Sequence, residues 1–327
     1  MEKQKNMNPS CLRIVFMGTP EFAAESLLLI HESRHQVAAV VTAPDKPSGR
    51  GRKLMGSAVK KKAGALGLTI FQPERLREEG FIEAMKSVDA DLFIVVAFRM
   101  LPKCLWSLPK LGTFNLHASL LPDLRGAAPI QWALWYGYEK TGLTTFLIDE
   151  EIDTGKILLQ EETPISPEDD AASLHDKLMA QGARLVVRTA NALSEGTVAS
   201  RDQMMQGTVK QAPKIFRSDT FLNFEQSCKQ VNQQIRALSP YPGSRICVQR
   251  EKGDKEEWKI LRSAQKKDTK SPPGMLSLGR TGLWLSCLDG EIEILELQIP
   301  GKKPLSSKEF CLGWKGPEQL RAEVNNL

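Results

Sequence analysis

Seven consecutive apolar residues, Leu92–Phe98 (LFIVVAF), constrain the fold of this 327-residue chain more than any other stretch. The run is too short to cross a membrane as a helix. Its β-branched centre lacks the polar alternation of a half-exposed strand, so it is expected to be a central strand buried on both faces. Such a strand needs helices above and below it, and the flanking sequence supplies them.

Short apolar runs at Leu12–Met17, Gln36–Thr42, Thr69–Phe71, Asp91–Ala97 and Gly112–His117 alternate with helical patterns at Pro20–Glu32, Ser57–Leu66 and Leu76–Lys86. Strands spaced by helices imply βαβ crossovers, hence an α/β domain with a Rossmann-like parallel sheet. A helix around Ile130–Tyr138, β-like runs at Gly142–Ile148 and Lys156–Ile165, and a helix from Asp169 to about Leu193 continue it. Residues 196–213 are polar and without period, and are expected to be a linker. Beyond them a helix at Asn223–Leu238 precedes closely spaced strands at Ser244–Gln249, Glu257–Arg262, Gly274–Leu278, Gly282–Cys287 and Glu291–Leu297. That spacing predicts a small β-barrel. The expected domains are therefore 1–195, a linker at 196–213, and 214–327.

Charge is distributed unevenly. Residues 1–213 hold 25 basic and 25 acidic side chains, whereas 214–327 hold 19 and 14. Within the neutral part, residues 41–62 carry seven basic side chains and one acid. Two separated basic regions around an acidic body favour a polyanionic partner. The six cysteines are scattered without a CxxC pair, which fits neither a zinc site nor a disulfide framework and is expected of reduced thiols in a cytoplasmic protein. No apolar stretch follows the charged start, so no secretory signal is expected.

Gly18-Thr19-Pro20 forms a strand-to-helix turn but lacks the glycine spacing for a pyrophosphate, and no Walker lysine motif occurs; both facts argue against NAD and ATP. The informative stretch is Phe114-Asn115-Leu116-His117-Ala118-Ser119-Leu120-Leu121-Pro122. Asn115 and His117 lie two apart at the end of a predicted strand, so their side chains leave one face at the carboxyl edge of the sheet, where open α/β folds bind ligands. An amide and an imidazole aimed at one point can stabilise an oxyanion and move a proton. Asp149, Glu150, Glu151 and Asp153 offer four acids to set the imidazole's charge, with Asp153, just before Thr154-Gly155, the best placed.

The segments RIVFMGTPEFAA, VVTAPDKPSGRGRKL, FNLHASLLPDLRGAAPIQWAL and IDEEIDTGKIL together resemble the methionyl-tRNA formyltransferase family. The resemblance spans nearly the whole chain and is weaker after residue 210. It implies a Rossmann-like catalytic domain and an OB-like barrel, 10-formyltetrahydrofolate as formyl donor, and initiator methionyl-tRNA as acceptor; a monomer without metal and without a membrane partner is expected. Carried over by position, it implies that Asn115 and His117 stabilise the oxyanion while Asp153 orients His117 and assists proton transfer. It further implies that Ser119, Leu120, Leu121 and Pro122 contact the folate, and that Lys46, Arg50, Arg52 and Lys53 form a loop that enters the tRNA acceptor arm. A sugar-nucleotide formyltransferase would share the three polar residues but would not need the basic loop. Ala97–Pro102 departs from the family's Tyr-Gly version by one residue, which leaves Arg99 without an implied role.

Overall fold

The computed structural model describes residues 11–48, 53–204, 207–249, 254–266, 271–279 and 282–323. Its contacts divide into two compact units. The first contains residues up to Gly126 together with Thr141–Pro164 and His175–Gln211; the second contains Ala127–Lys140, Ile165–Leu174 and the chain from Ala212 onward.

The elements run β1 (Arg13–Gly18), α1 (Glu21–His31), β2 (Gln36–Val41), β3 (Lys46–Ser48), β4 (Lys53–Met55), α2 (Ala58–Ala65), β5 (Ile70–Phe71), α3 (Glu79–Ser87) and β6 (Leu92–Val96). Next come α4 (Lys103–Trp106), β7 (Thr113–His117), β8 (Arg125–Gly126), α5 (Pro129–Trp135), β9 (Lys140–Leu147), β10 (Ile157–Pro164), α6 (Ala171–Glu195) and β11 (Gln211–Ala212). The main sheet of the first unit has the order β10-β9-β7-β6-β1-β2-β5. The pairs β2–β5, β1–β2, β1–β6 and β6–β7 are parallel, as expected of crossover-connected strands, and every residue of β6 is buried. Beyond β7 the sheet changes sense, because β9 pairs antiparallel with β7. Apolar patterning cannot reveal that reversal, since strand direction is set by the connection rather than by the strand's own residues.

Alternation along β1 and β6 sends Val15, Met17, Phe93 and Val95 into one cluster with Phe81 and Met85 of α3 and Leu105 of α4. At the end of β1 the chain turns at Gly18, where a Cβ would come within 2.6 Å of the Ala23 Cβ and 2.9 Å of the Val96 carbonyl oxygen. The glycine therefore serves close packing of strand and helix.

One buried histidine ties the start of β1 to α6. His35 Nδ1 accepts the Leu12 N–H at 3.1 Å, so its proton sits on Nε2, which donates to Asn191 Oδ1 at 3.1 Å. Burial, reinforced by the Arg34 guanidinium, pushes the His35 pKa below the ordinary histidine value. The unfolded chain then binds the proton more readily than the native one, so this contribution to stability is complete above about pH 6.5 and is lost as pH falls through the lowered pKa. The melting temperature of the wild type should exceed that of His35→Gln at pH 7.5, by a margin that shrinks toward pH 5. A margin independent of pH would contradict this role.

The second unit continues through a 3-10 turn (Ser218–Thr220), α7 (Cys228–Leu238), β12 (Ser244–Gln249), β13 (Lys255–Lys266), β14 (Met275–Leu278), β15 (Leu283–Cys287), β16 (Gly290–Gln298), β17 (Leu305–Ser306), α8 (Ser307–Gly313) and β18 (Gln319–Glu323). Strands β13-β12-β18-β14-β15-β16 form a sheet that closes on itself through antiparallel β13–β16 pairing, an OB-like barrel. Trp258, fully buried, packs edge-on against Phe310 and Trp314 of the α8 region. α7 begins at a capping box of Ser227 and Gln230, so the helix starts later than the apolar pattern suggests. The strand β18 closes the ring between β12 and β14, and only Leu320 and Ala322 of it face the core. Among the described residues no helix is long and apolar enough to cross a membrane, and no group of three or more His, Cys, Asp or Glu side chains could hold a metal ion.

Candidate active site

Strand β7 ends in Asn115-Leu116-His117, with Leu116 buried and Asn115 and His117 alternating to the other face. His117 lies opposite Thr144 of β9. Its imidazole is held from two sides. Nε2 is 2.9 Å from the Leu124 carbonyl oxygen, which can only accept, so Nε2 carries a proton and donates it there. Nδ1 faces the Asp153 Oδ2 at 3.7 Å, and the two side chains are only 7% and 13% exposed. A proton added at Nδ1 therefore enters the field of a nearly dry carboxylate, where opposite charges interact far more strongly than in water. Asn115 Oδ1 is buried and has no hydrogen-bond partner among the described residues, an arrangement that has a cost unless something else supplies a donor.

Asp153 reaches His117 because its loop folds back over the sheet. Its backbone is left-handed (φ +56°), a conformation that aspartate tolerates better than most residues. The carboxylate Oδ2 accepts the Gly126 N–H at 3.0 Å. Two residues on, Gly155 packs so tightly on β9 that a Cβ there would overlap the Leu147 carbonyl oxygen. Asp149 closes the loop from within, accepting the Thr154 hydroxyl at 2.7 Å and the Glu151 N–H at 3.2 Å.

The Ser119–Pro122 turn is fixed by hydrogen bonds. Thr144 donates to the Ser119 carbonyl at 2.7 Å and accepts the Leu121 N–H at 3.1 Å, while Gln160 donates to the Leu121 carbonyl at 2.9 Å. Ser119 is buried and spends its hydroxyl on the Asp123 carbonyl at 2.6 Å, and Leu121 packs with Phe146 and Ile157. Leu120 and Pro122 are half-buried. A separate cavity of about 280 Å³ is walled by Leu76, Met100, Leu101, Pro102 and Trp106, with Arg77, Lys103 and Glu150 at its polar margin. An apolar and aromatic slot with a few charged groups suits a flat heteroaromatic ring bearing an anionic tail. Arg99, which lacked a role from the sequence, donates to the Pro73 and Glu74 carbonyls at 2.8 and 2.9 Å and so fastens a neighbouring loop.

Of the basic loop, Lys46 is exposed on β3, which pairs with β4 in the register Lys46↔Met55, Pro47↔Leu54. Lys53 lies on β4; Arg50 and Arg52 are outside the described residues. The root of this hairpin is anchored by Asp45, which accepts Gln72 Nε2 at 2.8 Å and Lys60 Nζ at 2.6 Å. Those two donors hold the Asp45 carboxyl below its usual range. Sequence reasoning missed Gln203, whose amide touches the Asp153 loop. It lies in a stretch without periodicity, and nothing in its surroundings signals a site.

Comparison with known proteins places the chain in a family. Residues 12–190 match the formyl transferase family and residues 214–315 the formyl transferase C-terminal domain. The methionyl-tRNA formyltransferase of Bacteroides fragilis is 44% identical over 97% of this chain and 100% of its own length; that of Flavobacterium johnsoniae is 44% identical over 92% and 96%. Among solved structures, a sugar 3N-formyl transferase determined in the presence of dTDP and 5-N-formyl-THF superposes with a TM-score of 0.65 at 19% identity, covering 90% of this chain and all of that one, which shows a shared fold. Identity at this level over essentially the full length of both proteins leaves one conclusion: the chain belongs to the methionyl-tRNA formyltransferase family.

Proposed function

We propose that this protein transfers the formyl group of 10-formyltetrahydrofolate to the α-amino group of the methionine carried by initiator methionyl-tRNA. The observation that carries the proposal is the His117–Asp153 pair at 3.7 Å on the face shared with Asn115, whose buried Oδ1 has no partner among the described residues. The amine attacks the formyl carbon directly, a C–N bond forms to the amine, and the bond to the folate nitrogen breaks. The amine loses the proton that the departing nitrogen gains, so no net proton is consumed. Asn115 suits both ends of this step: its amide N–H groups can donate to the oxyanion, and its Oδ1 can accept an N–H of the attacking amine. His117, with Nε2–H committed to Leu124, has its lone pair at Nδ1, and Asp153 stabilises the imidazolium while the proton is in transit.

The slot around Trp106 supports a folate donor, because its apolar walls suit a flat ring and Arg77 suits a carboxylate tail, while Lys103 is ion-paired with Glu150 at the same margin. The second unit supports a nucleic-acid acceptor. A cavity of about 460 Å³ there is lined by Lys214, Arg217, Arg245 and Gln131 beside the exposed rings of Phe216 and Tyr241. Cations for phosphate next to aromatic faces for bases are the usual parts of a single-strand contact. A tRNA substrate assigns the activity to the cytoplasm, and residues 214–327 to tRNA binding behind a linker at 196–213. The test is formyl transfer to initiator methionyl-tRNA, to an aminosugar nucleotide, or to neither. Turnover on the tRNA alone supports the proposal; turnover on the sugar alone refutes it.

The basic hairpin gives a sharper expectation. Arg50's planar fork can reach a phosphate or base edge in a way that a lysine ammonium cannot copy. Arg50→Lys should lower kcat/KM on initiator methionyl-tRNA although charge is kept, while Lys46→Arg is tolerated and folate binding is unchanged in both. Equal efficiency for Arg50→Lys and wild type would reduce the hairpin to a charge cloud.

A further inference from the structure

Asp153 is gripped twice, once by its carboxylate and once by its backbone. The carboxylate accepts the Gly126 N–H at 3.0 Å. Its carbonyl oxygen accepts Gln203 Nε2 at 2.9 Å, and the same amide nitrogen donates to the Gly155 carbonyl, also at 2.9 Å. Gln203 Oε1 in turn accepts Arg125 Nε at 3.1 Å and Nη2 at 2.6 Å. Arg125 is the residue before Gly126, so the contacts form a closed circuit: Arg125 side chain, Gln203, Asp153 backbone, Asp153 carboxylate, Gly126 backbone. Both amide hydrogens and the amide oxygen of Gln203 are engaged.

Local pairing explains how Gln203 reaches this place. Arg201 forms an antiparallel bridge with Ile157, its N–H and carbonyl exchanging hydrogen bonds of 2.9 and 2.8 Å with that residue. In an antiparallel register, two residues after Arg201 lies level with two residues before Ile157, which aligns Gln203 with Gly155. The Arg201 guanidinium, bound to Gln160, pins the register. Among the described residues Arg125 has no carboxylate partner, so its charge is directed to orienting one amide rather than to an ion pair.

We infer that Gln203, oriented by Arg125, is a positioning residue that holds the left-handed Asp153 backbone so that the carboxylate stays against His117. This rests on the roles proposed above for Asp153 and His117. Gln203 touches no reacting atom; it acts only through Asp153. Loss of its two N–H donors lets the loop relax from a left-handed conformation that is strained for a residue with a side chain, although less so for aspartate than for most. A displacement of the order of an ångström at a proton-transfer pair costs up to about a hundredfold in rate.

The test is a four-protein cycle measured as kcat for formyl transfer to initiator methionyl-tRNA: wild type, Gln203→Ala, Asp153→Asn and the double variant. Gln203→Ala should lower kcat about ten- to a hundredfold, with KM for tRNA and folate within about twofold of wild type. In the Asp153→Asn background the same substitution should add less than about a twofold loss, because a residue acting through Asp153 has nothing left to position. Gln203→Glu keeps an acceptor for Arg125 but loses both donors, and should resemble Gln203→Ala; circular dichroism of both guards against misfolding of either. An Asp153→Asn defect without a Gln203→Ala defect overturns this inference alone, as does a Gln203→Ala loss that multiplies undiminished onto Asp153→Asn. Wild-type turnover by Asp153→Asn overturns the assignment of Asp153 and this inference with it.

Discussion

His117→Ala is expected to lower the turnover number for formyl transfer by at least about a hundredfold, the scale of a lost acid–base group in a proton-transfer step. The imidazole is nearly buried between the Leu124 carbonyl and the Asp153 carboxylate. Folding should survive, because His117 sits at the end of β7 rather than in its interior. Folate binding should also survive if it uses the proposed apolar slot of Leu76, Met100, Leu101, Pro102 and Trp106, to which His117 does not contribute. Stopped-flow or quench measurement of kcat, with folate affinity as control, decides it. Turnover within a few-fold of wild type would remove His117 from the reaction.

Asp153→Asn is expected to cause a loss of similar size through charge alone. Asparagine has the same shape, tolerates the left-handed backbone, and its amide oxygen can still accept the Gly126 N–H. What disappears is the negative charge 3.7 Å from His117 Nδ1. The imidazolium formed in transit then lacks its counter-charge in a poorly hydrated setting, so kcat should fall about a hundredfold while tRNA affinity is nearly unchanged. A defect confined to tRNA binding would make Asp153 a structural loop residue, and one of Asp149, Glu150 or Glu151 a better candidate.

The parallel core of the sheet was legible because its signal is local. Leu92–Val96 is apolar throughout and is buried throughout, and the helices on either side carry their own periodicity. The strands β9 and β10 were legible as strands but not in direction, which depends on the connection after β7. β18 was invisible: Gln319–Glu323 alternates Leu320 and Ala322 with polar or charged residues, and only closure of the barrel makes it a strand. At the site, alternation placed Asn115 and His117 on one face, yet spacing alone left four acids as candidates for the histidine's partner. The choice depends on a left-handed backbone at Asp153, a glycine packed against Leu147, and a glutamine fifty residues away in sequence. None of these leaves a periodic trace, because each acts through tertiary contact. His35 was equally silent: its role follows from a backbone N–H at Leu12 and an amide on α6.

The destination of the formyl carbon tests the central claim most directly. Wild-type protein in excess is mixed with 10-formyltetrahydrofolate labelled in the formyl group and with initiator methionyl-tRNA, then quenched in acid at successive times. Direct attack by the amine, with Asn115, His117 and Asp153 serving the oxyanion and the proton, predicts that label leaving the folate appears on the methionine nitrogen at the same rate. It also predicts no label on the protein at any time. Label that stays on the folate, or that passes through the protein before reaching the tRNA, would contradict it.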